Sequence, residues 1–279
     1  MSAPPTSGPD GAGVPGVAAV TVARLRGLWQ QDRPAVGVWS SLADPVVAEL
    51  LAWTGFDYVC IDLQHGLATE SELPALCQAM RAAGRAPVVR TAWKDPVTIM
   101  RAVDSGAAMV VVPMVDSADD ARAAAAACRF PPTGTRSWGP MWGDVRPDGA
   151  LPPGQQDDAV LCAVMVETRA GVDALEEIVT VPGVDAVYIG PNDLALGCGL
   201  GRSTYRDSSE VDALIQQVVD TCRAAGIVVG LHCSDTGMAL DWVGRGVRMV
   251  TAATDTTLLR RGADATVATL AADPGLPRT

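Results

Sequence analysis

The sequence predicts an α/β fold built as one (β/α)8 barrel, and three observations carry that prediction. Short apolar runs recur along the chain without polar–apolar alternation, as in strands buried on both faces of a parallel sheet. Amphipathic segments lie between the runs, and several end in glycine, as helix C-termini do. Eight such units fit into about 250 residues, the size expected of a barrel. A doubly wound open sheet is the alternative. It usually carries a Gly-x-Gly-x-x-Gly turn after the first strand, and here that turn reads SSLADP.

The elements follow in order. Residues 1–20 begin MSAPPTSGPDGAGVPGV, with no basic stretch leading into an apolar core, and are read as a flexible tail rather than a signal peptide. A helix is expected over VTVARLRGLWQQ, then one domain spanning 21–272, with 273–279 as a second tail. The strands are AVGVWS, DYVCID, PVVRTA, MVVVPM, CAVMVE, AVYIGP, IVVGLH and VRMVTA. Helices are expected at ESELPALCQAMRAAG, DPVTIMRAVDSG, SADDARAAAAAC, GVDALEEIV and EVDALIQQVVDTCRAAG. The longest interruption, residues 129–158, is the length of a lid or an interface segment. GCGLGR (197–202) has the composition of a phosphate cradle but the wrong spacing, and reads as a turn.

Composition narrows the function. The chain is 48% hydrophobic with a net charge of −11, which allows a large core and disfavours nucleic acid or an anionic membrane as partner. No apolar run approaches the ~20 residues of a membrane span. The 7 cysteines form no Cys-x-x-Cys pair, which favours reduced thiols and a cytoplasmic location. Lys94 is the single lysine, so little of the chain is available for lysine-based covalent chemistry.

Polar residues gather where the apolar runs stop. Asp62 ends the second strand and His65 follows it; Arg90 ends the third, Glu167 the fifth, and His232 the seventh, while Asp193 follows the sixth. In a barrel these ends converge on the rim where active sites form. Glu167 and Asp193 come from adjacent strands and suit a hard divalent cation, which takes one or two carboxylates and leaves positions for water or substrate oxygens. A glycosidase-type acid/base pair is the competing reading. The metal reading is preferred because a 2-oxo acid site also accounts for Arg90. His232 is left outside the core set as a rim histidine.

These residues sit in segments that resemble the HpcH/HpaI aldolase family: GVWSSLADP, IDLQHG, PVVRTAWKDP, VVVPMVDSADDA, RFPPTGTRSWGP, VMVETRAG, VYIGPNDLALGCG and TDTTLL. They occur in family order over roughly residues 34–270. The resemblance implies a barrel of the phosphoenolpyruvate/pyruvate-domain type. It also implies an aldolase that cleaves a 4-hydroxy-2-oxo acid to pyruvate, or a related 2-oxo acid, and an aldehyde, through an enolate stabilised by Mg²⁺, Mn²⁺ or Co²⁺. By resemblance Glu167 and Asp193 are the metal ligands, and His65 with Asp62 is the acid/base dyad, Asp62 holding the imidazole in one tautomer. Arg90 contacts substrate, and the Gly190, Pro191, Asn192 and Asp193 backbone forms the carboxylate pocket. Gln64 and Asn192 stand at places where the family varies, so they bear on acceptor choice, as does the 129–158 loop, which the aldehyde is expected to meet.

Three other readings share the site. They are a CoA-ester lyase of citrate-lyase-β type, an oxaloacetate decarboxylase using the same enolate, and a non-catalytic 2-oxo acid binding protein. The first strand reads PAVGVWSSLADP, not the Arg-Ser-x-Leu-like opening that suits a thioester ligand. Lys94, beyond the third strand, is expected to be solvated and no Schiff-base residue. The family implies a homo-oligomer, a hexamer formed as a trimer of dimers, and DTTLLRRGADATVATLAA is expected to pack on a neighbour.

Overall fold

The computed structural model describes residues 16–139, 141–143, 145–146 and 151–273; the outer parts of both expected tails, 1–15 and 274–279, lie outside them. Helix α1 (Val17–Gln30) leads into β1 (Ala35–Ser40), α2 (Pro45–Ala52), β2 (Tyr58–Asp62), α3 (Leu73–Ala82), β3 (Val88–Arg90), α4 (Pro96–Ser105), β4 (Met109–Val112) and α5 (Ala118–Ala127). The second half holds α6 (Pro153–Asp158), β5 (Leu161–Met165), α7 (Arg169–Asp173), α8 (Leu175–Ile178), β6 (Ala186–Ile189) and α9 (Pro191–Gly197). It ends with α10 (Ser209–Ala224), β7 (Val228–His232), α11 (Thr236–Gly244), β8 (Met249–Thr254) and α12 (Asp255–Ala271). The eight strands pair in sequence order, all parallel, and β8 closes on β1.

Period two is present in the strands but hidden, because both faces are buried. One set of alternate residues, including Val59, Ile61, Val110, Val112, Val187 and Ile189, packs outward against the helices. The other set, including Trp39, Tyr58, Cys60, Val88, Met165 and Tyr188, fills the barrel interior. Two tyrosines cross that interior, and their hydroxyls meet on Thr251 Oγ1, at 3.2 Å for Tyr58 and 2.6 Å for Tyr188. Their rings lie over Gly37 and Gly230, where any Cβ would overlap them, so strand glycines here make room for large neighbours.

Helix starts follow from local chemistry. Asp44 and Asp95 each precede a proline, and their carboxylates accept the N–H groups of Val46 and Val47 and of Val97 and Thr98. Proline at the first helical position has no N–H to leave unsatisfied. Helix α1 plugs the end of the barrel where the strands begin: Val22 and Leu25 join the interior cluster, and Thr21 Oγ1 accepts the Ala86 N–H at 3.1 Å. Burying a leucine such as Leu25 stabilises by about 2 kcal/mol. The helix starts at Val17, inside the segment read as a tail, because Val17 and Ala18 also pack on this cluster.

The described part of the long segment after α5 lies at that same end. It returns from a helix to a strand, so it belongs opposite the rim where strands end. Arg136 donates from Nε and Nη2 to Asp104 at 3.0 and 2.6 Å, and Trp142 Nε1 donates to the Ser105 carbonyl at 3.1 Å. Asp104 and Ser105 are the last residues of α4. The expectation that an aldehyde meets this segment is therefore corrected within a single chain. Among the described residues no helix is long and apolar enough to cross a membrane.

Candidate active site

Strand parity places the site. Cys60, Val88, Met165, Tyr188 and Trp39 point into the barrel, so Asp62, Arg90, Glu167 and Gly190, two residues further along, continue the same face. His232 follows Val228 and Gly230 on β7 in the same way. These residues form the uppermost interior layer, around a cavity of about 150 Å³. Its walls come from Trp39, His65, Arg90, Met165, Tyr188, His232 and the segment Gly190, Pro191, Asn192, Asp193. Six of the residues expected at the site thus line it. Asp62 stands behind Arg90, Glu167 behind Gly190, and Gln64 outside the lining.

Glu167 lies two residues beyond the end of β5, not at the strand end itself. Its Oε1 accepts the Met114 N–H at 2.9 Å, while Oε2 is buried with no hydrogen-bond partner. Burial raises its pKa from 4.5 to about 7, the Met114 N–H opposes this, and the negative charge of Asp193 adds to it. A Cβ at position 190 would collide with Oε2, so glycine there leaves room beside the carboxylate. A buried oxygen with no donor, beside a second carboxylate, fits a hard divalent cation. Among the described residues no group of three or more His, Cys, Asp or Glu could hold a metal. A cation here would keep positions for other oxygens.

The opposite wall corrects one expectation. Asp62 does not hold the His65 ring; it pairs with Arg90, whose Nε reaches Oδ1 at 2.9 Å and Nη2 reaches Oδ2 at 2.7 Å. The register explains this, since Asp62 and Arg90 are partner positions on β2 and β3. Asp62 Oδ1 also accepts the backbone N–H groups of Gln64 and His65, at 3.0 and 3.3 Å, which shapes the turn carrying the histidine. Burial alone would raise the Asp62 carboxyl, but the Arg90 guanidinium outweighs it and holds the group below its usual range. His65 itself is exposed at the mouth of the cavity, its ring bonded to no described residue.

Trp39 and Tyr188 form the floor, and neither was singled out in the sequence. The interior parity of GVWS and AVYI is the signal that could have marked them. Arg90 Cζ lies 5.1 Å from the Trp39 ring centroid, and the Trp39 and Tyr188 rings are 5.6 Å apart. At the rim, Asp255 Oδ2 accepts from Ser40 Oγ, Ser41 N and Leu42 N at 3.2, 2.9 and 2.9 Å, tying the turn after Trp39 to the start of α12. Lys94 is not simply solvated: Nζ is 2.7 Å from Asp120 and 3.5 Å from Asp116. Partial burial opposes its charge, but Asp120 outweighs burial and raises its pKa, which keeps the amine protonated.

An eight-stranded parallel barrel that gathers two carboxylates, an arginine and a histidine at its strand ends has the TIM-barrel architecture, whose active sites lie on that rim. Residues 35–262 match the family model described as HpcH/HpaI aldolase/citrate lyase, and the chain belongs to this family of carbon–carbon lyases. It is 37% identical over 246 residues, 88% of this chain and 93% of the relative, to the 4-hydroxy-2-oxo-heptane-1,7-dioate aldolase of Salmonella dublin. Its fold is similar to that of an HpcH/HpaI aldolase/citrate lyase family protein from Burkholderia cenocepacia J2315. There the TM-score is 0.82 at 30% identity, covering 90% of this chain and 98% of the other. An HpcH/HpaI aldolase from Desulfitobacterium hafniense DCB-2 gives a TM-score of 0.81 at 26% identity, covering 91% and 99%.

Proposed function

We propose that this chain is a divalent-metal-dependent aldolase that reversibly cleaves a 4-hydroxy-2-oxo acid into pyruvate, or a related 2-oxo acid, and an aldehyde. The observation that carries this reading is the orphaned, buried Oε2 of Glu167, close to Asp193 and behind the Gly190 wall of the cavity that Asp193, Arg90 and His65 line. Glu167 and Asp193 would hold Mg²⁺, Mn²⁺ or Co²⁺, which when bound supplies Lewis-acid polarisation of the 2-oxo group.

The chain's own residues account for the rest. The first turn of α9 offers the Asn192 and Asp193 N–H groups, which lack intrahelical partners, to the substrate carboxylate. Asp62 occupies Nε and Nη2 of Arg90, leaving Nη1 for the oxygen on C2, where negative charge develops. His65, at the mouth, takes a proton from C3 of the 2-oxo acid; C3 then bonds to the aldehyde carbon, and the proton returns to the aldehyde oxygen. Cleavage runs these steps in reverse. Lys94, charged and held by two aspartates, is unsuited to forming a Schiff base.

A coupled assay for pyruvate release over a panel of 4-hydroxy-2-oxo acids tests the reading. Activity should vanish on chelation and return with added divalent metal. Release that persists in rigorously metal-free protein, or no release from any member of the panel, overturns it.

A further inference from the structure

His232 occupies the floor of the cavity with hydrogen-bonding capacity that the protein does not use. It sits on β7 in the interior register, and its ring meets the Trp39 ring edge-on, at 5.0 Å between centroids and 87° between planes. That contact holds the imidazole against Trp39. Neither nitrogen is hydrogen-bonded to a described residue, although the ring is more than half buried and lines the cavity. The imidazole lines the cavity with no protein partner for its nitrogens, so its donor and acceptor are open to a group on a bound ligand.

The ring's surroundings define that partner. Burial lowers the His232 pKa from 6.5 to about 4, and the Arg90 charge lowers it further while Asp62 opposes. The ring is therefore neutral at physiological pH, with one N–H donor and one lone-pair acceptor. A hydroxyl, which both donates and accepts, matches such a ring. A carboxylate gains no charge from it. Among the described residues lining the cavity Arg90 is the only arginine or lysine, and Asp62 already takes two of its donors.

We infer that His232 is a specificity-determining residue that reads an uncharged hydroxyl on the substrate's carbon chain. The substrates are then hydroxylated 2-oxo acids or hydroxyaldehydes, rather than chains ending in a second carboxylate. The inference rests on the aldolase reading above and narrows it. The hydroxyl can enter on either half of the reaction, on C3 of the 2-oxo acid or on the aldehyde.

The experiment has one arm for each source. In the first, 3-hydroxypyruvate is compared with 2-oxobutanoate, of similar size, against a fixed aldehyde. In the second, glycolaldehyde is compared with propanal against pyruvate. Each ratio of kcat/KM is taken within one variant, so a general loss of rate cancels. The wild type should favour the hydroxylated member about tenfold in at least one arm, the value of one net hydrogen bond. His232→Leu should bring that ratio to about one, and His232→Gln, which keeps a donor and an acceptor, should retain part of it. Calorimetric affinities for the two 2-oxo acids supply a readout independent of turnover for the first arm. A wild-type ratio near one in both arms, or a preference that survives in His232→Leu, overturns the inference. Exchange of the pyruvate methyl protons into D₂O separates the two readings. Exchange without a hydroxyl preference removes the inference alone, and no exchange with added metal removes both.

Discussion

Glu167 is the residue with the most to gain from a bound cation. In metal-free protein its pKa of about 7, against an ordinary 4.5, means that the unfolded chain releases this proton first. Stability should therefore be full below about pH 4.5 and fall as pH rises to about 7, by about 3 kcal/mol in all. Chelator-treated wild type should melt progressively lower across this window, while Glu167→Gln stays level there. Added Mg²⁺ at pH 8 should raise the Tm of the wild type and leave that of the variant in place. A wild-type Tm that is flat over the window contradicts the burial argument. Across the cavity, His65→Ala should lower turnover by about 10²–10⁴-fold with little effect on metal affinity. Arg90→Lys should also be poorly active, because a point charge cannot make the two-pronged contact with Asp62 and still reach the substrate. Near-normal kcat in both variants would place the chemistry elsewhere.

At the scale of elements, the segment after α5 is held by the Arg136–Asp104 pair, with both side chains buried. Asp104→Ala would strand a guanidinium in the interior and should cost about 3–5 kcal/mol, measured by denaturant unfolding. A loss below 1 kcal/mol would show that the pair is dispensable. What was legible in the sequence follows the same division. The strands could be read because apolar runs such as MVVV and AVYI leave no other burial pattern, and the rim residues because they end those runs. The partner of Asp62 could not be read. It depends on a register that brings Arg90, 28 residues away, level with Asp62, while His65 is nearer in sequence but lies past the turn. The face carrying the long segment was recoverable from connectivity alone, since a helix-to-strand link returns to the end where strands begin.

For the whole molecule, α12 is left largely uncovered among the described residues. Only Asp255 in it is buried, while Leu259, Val267 and Leu270 are 68%, 65% and 54% exposed. Val46 and Leu50 on α2 and Trp53 just after it are also open, each at least 66% exposed. Exposed apolar residues of this kind are what an interaction site presents, and we propose that they serve assembly into a homo-oligomer. Sedimentation at working concentration should show an oligomer, and the double variant Leu259→Glu, Val267→Glu should shift it toward smaller species. A wild-type monomer would contradict this. The attachment of α12 adds a mechanical consequence. At 17 residues the helix is an arm of about 25 Å, and its fulcrum is Asp255, the same side chain that fastens Ser40, Ser41 and Leu42 beside the Trp39 floor. Load on the far end of that arm would reach the rim of the cavity through this side chain. If α12 is clamped between subunits, that restraint would reach the pocket of the same chain through Asp255.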